Sequence, residues 1–154
     1  MSSPQAPPAG SVVDPRSPRF GAAITSVVLA LTLILGPTGG LPLLVLQTVA
    51  FGAGSLLGLQ YQPYGIVFRK FVRPRLDPPA ELEDARPPRF AQSVGLGFAV
   101  VGLIGAVLNL TGLFYLAVGL ALVAALLNAV FDFCLGCEIY LLSKRLAAKA
   151  QPAT

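Results

Sequence analysis

The sequence predicts an all-α integral membrane fold, with four transmembrane helices as two parallel-repeat hairpins, each followed by a short interfacial amphipathic helix. Three observations predict it. Hydrophobic residues make up 55% of the 154 and charged residues only 12%, too little charge to clothe a soluble domain of this size. The apolar residues come in blocks close to membrane-spanning length. All eleven Lys and Arg residues fall on one side of the topology those blocks define.

Met1 to Val13 is rich in Ser, Pro, Ala and Gly, so residues 1–13 read as a disordered tail. That stretch has no basic n-region, and no cleaved signal peptide is expected. A single membrane domain follows over 14–149, with 150–154 as a second tail. Its first span is Phe20 to Gly36, closed by the turn Pro37-Thr38-Gly39-Gly40. The second span, Leu41 to Leu59, leads into a polar connector over 60–89.

Within the connector, Ile66, Val67, Phe68, Phe71 and Val72 alternate with Arg69, Lys70, Arg73 and Arg75. Tyr61 and Tyr64 lie just upstream, and the pattern predicts an interfacial helix near Ile66 to Val72. Asp77-Pro78-Pro79 ends it, and Glu81, Glu83 and Asp84 form an acidic patch. The third span is Phe90 to Leu108, with Asn109-Leu110-Thr111-Gly112 as its turn. Helix-compatible sequence then runs from Leu113 to Leu142, about 45 Å against a hydrocarbon core of about 30 Å. Either the helix tilts and protrudes, or it breaks near Cys134-Leu135-Gly136-Cys137, and an internal repeat favours the break. It leaves a fourth span, Leu113 to Phe133, and a second interfacial helix near Glu138 to Ala148 carrying Lys144 and Arg145.

An internal repeat underlies the hairpins. Asp14-Pro15-Arg16-Ser17-Pro18-Arg19-Phe20 returns as Asp84-Ala85-Arg86-Pro87-Pro88-Arg89-Phe90, an offset of 70. Without gaps, that offset brings Leu56-Leu57 onto Leu126-Leu127 and Arg75-Leu76 onto Arg145-Leu146. The halves 14–76 and 84–146 repeat a two-span unit in one orientation, with a pseudo-two-fold axis along the membrane normal. The two opposite turns carry no charge, so the positive-inside rule puts both termini and the connector on the cytoplasmic side of the inner membrane. The net charge of +4 is thus topological. The bilayer is the expected partner, and nucleic acid is not.

Ala50, Gly54 and Gly58 form one small-residue stripe, and Gly95, Ala99, Gly102 and Ala106 another. Such stripes let helix backbones approach closely, either inside the bundle or across a homodimer. Asn128 and Asp132 are an i, i+4 pair in an apolar span. Polar groups there are expensive, so both are expected to face the bundle interior, as a hydrogen-bonding pair or as a proton or substrate site.

The chain's only two cysteines stand as Cys134-Leu135-Gly136-Cys137 and are followed by Glu138. The spacing suits thiol–disulfide exchange or a persulfide carrier, with Glu138 one helical turn from Cys134 as a proton shuttle. On the cytoplasmic side the pair is expected to be a reduced dithiol. Buried cysteines also pack as small apolar residues, and that reading stays open. No His or third Cys exists to complete a zinc site; neither metal nor cofactor is expected.

The D-P-R-x-P-R-F opening, the P-Y-G…F-R-K…V-R-P-R-L connector, the R-P-P-R-F-A-Q re-entry and the closing C-L-G-C-E-x-Y together resemble an actinobacterial membrane family, domain of unknown function 4395. The resemblance runs from about Asp14 to Leu146. It implies a multi-pass membrane protein without an established activity. It also implies proximity to thioredoxin-like and rhodanese-like sulfurtransferase genes, which often neighbour genes of this family.

Three readings of function compete. One is a membrane dithiol working with a thioredoxin-like or rhodanese-like partner. Another is a non-enzymatic assembly or structural subunit with packing cysteines. The third is a small transporter of a sulfur compound, which needs a polar path that the spans scarcely offer.

Overall fold

A computed structural model describes residues 10–151, so most of the N-terminal tail and the last three residues lie outside it. Val12 and Val13, assigned above to the tail, instead form a short strand β1 (Val12–Val13). It pairs antiparallel with β2 (Glu83–Asp84), with Val12 opposite Asp84 and Val13 opposite Glu83. The acidic patch is thereby partly built into a ladder.

Helix α1 (Arg16–Gly39) is regular up to Gly36, where φ 75 and ψ −177 take the backbone out of the helix. Only glycine adopts that conformation without strain, and Pro37 follows it. Helix α2 (Leu41–Gly52) starts with Pro42 in its first turn, runs on through a π-helical turn over Ala53–Leu57, and stops at Gly58, whose φ is 119. The second apolar segment therefore ends two residues short of the predicted Leu59.

Helix α3 (Pro63–Val67) continues through a π-helical turn over Phe68–Val72 and a 3₁₀ turn over Arg73–Arg75. Helix α4 (Arg86–Val107) closes on Asn109 in the left-handed conformation, with the Leu110 N–H donating to the Gly105 carbonyl at 2.8 Å. Helix α5 (Thr111–Phe131) returns, and α6 (Leu135–Ala150) ends the described fold.

Helices α1, α2, α4 and α5 form the bundle, with α5 against α1 and α4, and α2 against α4 and α1. Its centre is Leu29, Leu44, Phe51, Ala99, Phe114, Val118 and Ala121. Outward the helices present apolar side chains, among them Ile34 at 78%, Val107 at 68% and Phe131 at 73% exposure. A water-facing surface rarely carries so much, and hydrocarbon accepts it. Helices α1, α4 and α5 are each long and apolar enough to cross a membrane; Leu41–Leu57 is shorter, about 26 Å. Hydroxyls in these helices satisfy themselves locally: Ser26, Thr32 and Thr48 each donate to the carbonyl four residues back.

Both small-residue stripes are used within the chain. The face of Gly54 meets Gln62 and Gln92, Gly95 lies on the Phe51 ring, and Gly102 lies on Val118 and Leu44. Ala50 and Ala99 are fully enclosed.

Gly105 offers a direct test of how tight this packing is. A Cβ there would sit 2.7 Å from the Phe114 backbone nitrogen, which has no room to yield. Gly105→Val should destabilise the protein by about 1–3 kcal/mol, read as a lowered Tm in detergent. Gly112, with nothing near its Cβ position, should tolerate Ala within about 0.5 kcal/mol.

Candidate thiol site

The site begins where α5 is forced to stop. Arg19, in the first turn of α1, reaches across to the end of α5. Its Nε donates to the Ala129 carbonyl at 3.0 Å and its NH2 to the Val130 carbonyl at 3.4 Å. A continuing helix would give those carbonyls to the N–H groups of Phe133 and Cys134. With the guanidinium in that place, Asp132 turns left-handed at φ 54 and Phe133 N–H bonds back to the Leu127 carbonyl at 3.1 Å. The chain restarts as α6 with Cys134 as its N-cap.

The predicted break is therefore present, one to two residues ahead of the cysteines. It overturns the placement of Asp132, which lies past the end of α5 and is exposed rather than turned into the bundle. Only Asn128 of that pair remains half-buried and lines a cavity.

Cys134 is extended (φ −89, ψ 102) and Cys137 lies in the first turn of α6. Their Cα atoms are 5.2 Å apart and their sulfurs are joined in a disulfide, a separation ordinary for such a bond. The reduced dithiol expected from the cytoplasmic assignment is thus not the state of this structure. The Cys137 N–H donates to the Cys134 sulfur at 3.3 Å. Glu138 gives its backbone N–H to the Cys134 carbonyl at 3.0 Å and leaves its side chain exposed. Because Cys134 is an extended cap, the continuous-helix spacing assumed for a Glu138 proton shuttle does not exist.

Helix α6 is held on α4. Gly136 lies so close to Ala91 that a Cβ would come within 2.6 Å of its Cα. The rings of Phe90 and Tyr140 meet at 5.7 Å, and Lys144 stands over Tyr140 at 5.6 Å. Among the other basic residues, Arg69 donates to the Gln60 carbonyl and Arg75 to the Phe71 carbonyl, while Lys70, Arg73 and Arg145 are exposed.

Between α1, α4, α5 and α6 lies a cavity of about 290 Å³, lined by Cys134, Gly136, Asn128, Gln92 and Ala121 among others. The Gln92 Oε1 is buried without a hydrogen-bond donor. Among the described residues, no three His, Cys, Asp or Glu side chains gather as a metal site would require.

One polar cluster escaped the reading of the sequence. The Tyr64 hydroxyl donates to Gln47 Oε1 at 2.8 Å, and Gln47 Nε2 donates to Thr25 Oγ1 at 3.2 Å, with Gln47 wholly buried. The rule that singled out Asn128 and Asp132 would have found Gln47, an amide in the middle of an apolar block.

Two acidic clasps anchor the starts of α1 and α4. Arg16 grips Asp14 through its Nε at 3.0 Å and NH2 at 2.8 Å; Arg86 grips Asp84 through the same two groups, the NH2 at 2.6 Å. Hydrogen bonds from Arg16 and Arg86 hold these two carboxyls below the usual Asp range. A depressed carboxyl stabilises the fold above its unfolded pKa, and that contribution disappears as pH falls through the folded value. Acidification below about pH 4 should therefore lower Tm, and Asp14→Asn should flatten that acid limb in a Tm-against-pH series.

Comparison with curated proteins and with solved structures gives no match. Residues 13–145, from the β1 strand to within α6, match the family described as a domain of unknown function (DUF4395). The chain belongs to that family.

Proposed function

We propose that this protein is a thiol–disulfide exchange component of the inner membrane, with Cys134 and Cys137 as its reactive pair and a cytoplasmic thioredoxin-like or sulfurtransferase protein as its partner. The observation that carries the reading is the joined pair at the N-cap of α6. The free N–H groups of a helix start stabilise a thiolate, and the Cys137 N–H already points at the Cys134 sulfur. In the reduced pair Cys134 is the attacking group, and in the joined pair the partner attacks. A partner thiolate opens the disulfide, the mixed disulfide is resolved by the second partner thiol, and the two protein sulfurs leave as thiols while the partner is oxidised. Run backwards, the same steps reduce the partner.

The placement rests on a four-span topology of two parallel hairpins, and several paired features support it. Arg16–Asp14 and Arg86–Asp84 are the same clasp 70 residues apart. Arg19 and Arg89 each reach the carbonyls closing the other hairpin. Phe20 packs on Phe68 at 5.6 Å as Phe90 packs on Tyr140 at 5.7 Å. The basic residues gather at the end where these contacts lie, which the positive-inside rule assigns to the cytoplasm.

Two measurements test this. Reporter fusions at Gly39 and Asn109 should read periplasmic and one at Pro79 cytoplasmic; the reverse pattern would refute the orientation. After reduction, Cys134 should react with a membrane-impermeant maleimide in inside-out vesicles, and Cys137→Ser should trap a mixed disulfide with its partner. If neither thiol reacts and a Cys134→Ala, Cys137→Ala double variant complements a deletion, the pair only packs and the protein is an assembly subunit.

A further inference from the structure

The cavity beside the disulfide carries a second inference, which rests on the thiol reading above. Helices α3 and α6 dock in the same manner, α3 beside Gly21 of α1 and α6 beside Ala91 of α4. Each begins at a capping side chain, Gln62 accepting from the Gly65 N–H and Cys134 from the Cys137 N–H. The second residue after the cap is Tyr64 in α3 and Gly136 in α6. Tyr64 sends a phenol ring in beside α1 and α2, where its hydroxyl meets a buried carboxamide, Gln47. At Gly136 no ring is supplied, and the neighbouring space is the cavity of about 290 Å³.

What is missing there has a defined chemistry. The lining is mostly small and apolar, with Ala121 and Ala125 on one wall, and two carboxamide residues, Gln92 and Asn128, border it. The Gln92 oxygen, buried without a donor, lies against Gly54 outside the cavity, so the amide has to turn to meet a ligand there. An apolar cavity of about 150 Å³ already takes a benzene ring. A carboxamide can donate to a carbonyl or, after a turn of the amide, accept from a hydroxyl, so it serves both members of a ring carbonyl and ring hydroxyl couple. Cys134 completes the wall.

We infer that this cavity receives the ring of a lipid-soluble quinone, which serves as electron acceptor for the Cys134–Cys137 dithiol. The balance is closed. The reduced pair gives up two electrons and its two thiol protons and forms the S–S bond. The quinone takes both electrons and both protons and leaves as quinol. A partner dithiol then reduces the pair again and is itself oxidised. Gln92 and Asn128 position the ring oxygens, and the apolar tail leaves toward the lipid.

The test uses the full chain in phosphatidylcholine nanodiscs, reduced with dithiothreitol, desalted without oxygen and mixed with decylubiquinone. Thiols should disappear as the quinone absorbance falls, one quinone reduced per disulfide formed. Filling the cavity with Ala121→Phe should slow this reoxidation about tenfold relative to exchange with dithiothreitol, and Gln92→Leu should raise the quinone concentration giving half the maximal rate. Should Ala121→Phe fail to fold, the Cys134→Ser, Cys137→Ser variant supplies an independent readout: decylubiquinone should raise its Tm in a concentration-dependent way. Exchange with dithiothreitol but no quinone reoxidation and no Tm shift would overturn the quinone site and leave the thiol reading standing. Reoxidation undiminished in a folded Ala121→Phe variant would overturn the cavity as its place. Failure of the pair to exchange with dithiothreitol at all would overturn the thiol reading instead.

Discussion

Two arginines hold the helix ends on which the rest of the structure depends. Arg19 and Arg89 each leave the first turn of one hairpin and satisfy the terminal carbonyls of the other, at Ala129 and Val130 and at Ser55 and Leu56. A helix that ends at a bilayer surface leaves four carbonyls without an intrahelical partner, and in a poorly hydrated setting each needs a donor. A guanidinium, with its fixed fork of N–H groups and permanent charge, serves two of them at once and opposes the negative end of the helix dipole. A lysine would reach one carbonyl at a time. The exchange ties the hairpins together at their charged end, where no apolar drive between helices exists to do it. It also decides where α5 stops, and so where the cysteines fall.

The parts of the fold that follow from composition and charge were legible. Apolar block length and the uncharged Pro37–Gly40 and Asn109–Gly112 stretches locate the turns to within a residue or two, because hydrocarbon thickness limits a span and glycine or asparagine must supply the left-handed geometry. The excess length after Leu113 allowed either a tilted, protruding helix or a break, and the internal repeat favoured the break. What could not be read was where that break falls. It is set by Arg19, more than 100 residues away in sequence, and periodicity carries no trace of a side chain arriving from another helix. Asp132 was misplaced for the same reason: an i, i+4 face is meaningful only while the helix lasts.

Burial of Gln47 illustrates a different limit. Its carboxamide accepts from Tyr64 and donates to Thr25, three residues on three elements. A polar residue inside an apolar block signals that a partner exists, without naming it. The partner is Tyr64, which the sequence assigns to the membrane surface on the usual preference of tyrosine for headgroups. Here the phenol has instead been drawn in beneath α3, since a paired hydroxyl loses little on burial and the ring fills space that would otherwise be empty.

That filling makes the two docking places at the charged end of the bundle unequal. Where α3 docks, a ring, an amide and a hydroxyl close the interior. Where α6 docks, the corresponding cap is Cys134 and the residue two places on is Gly136. Any side chain at Gly136 would strike Ala91, so close docking of α6 excludes a ring from that backbone position and leaves the neighbouring space open. Docking, the empty space and the placement of Cys134 on its wall are thus consequences of one another. A helix held further from α4 could carry a side chain at that position, but it would then take Cys134 away from the bundle interior. Tight packing at one glycine is what lets Cys134 stand on the wall of a largely apolar cavity.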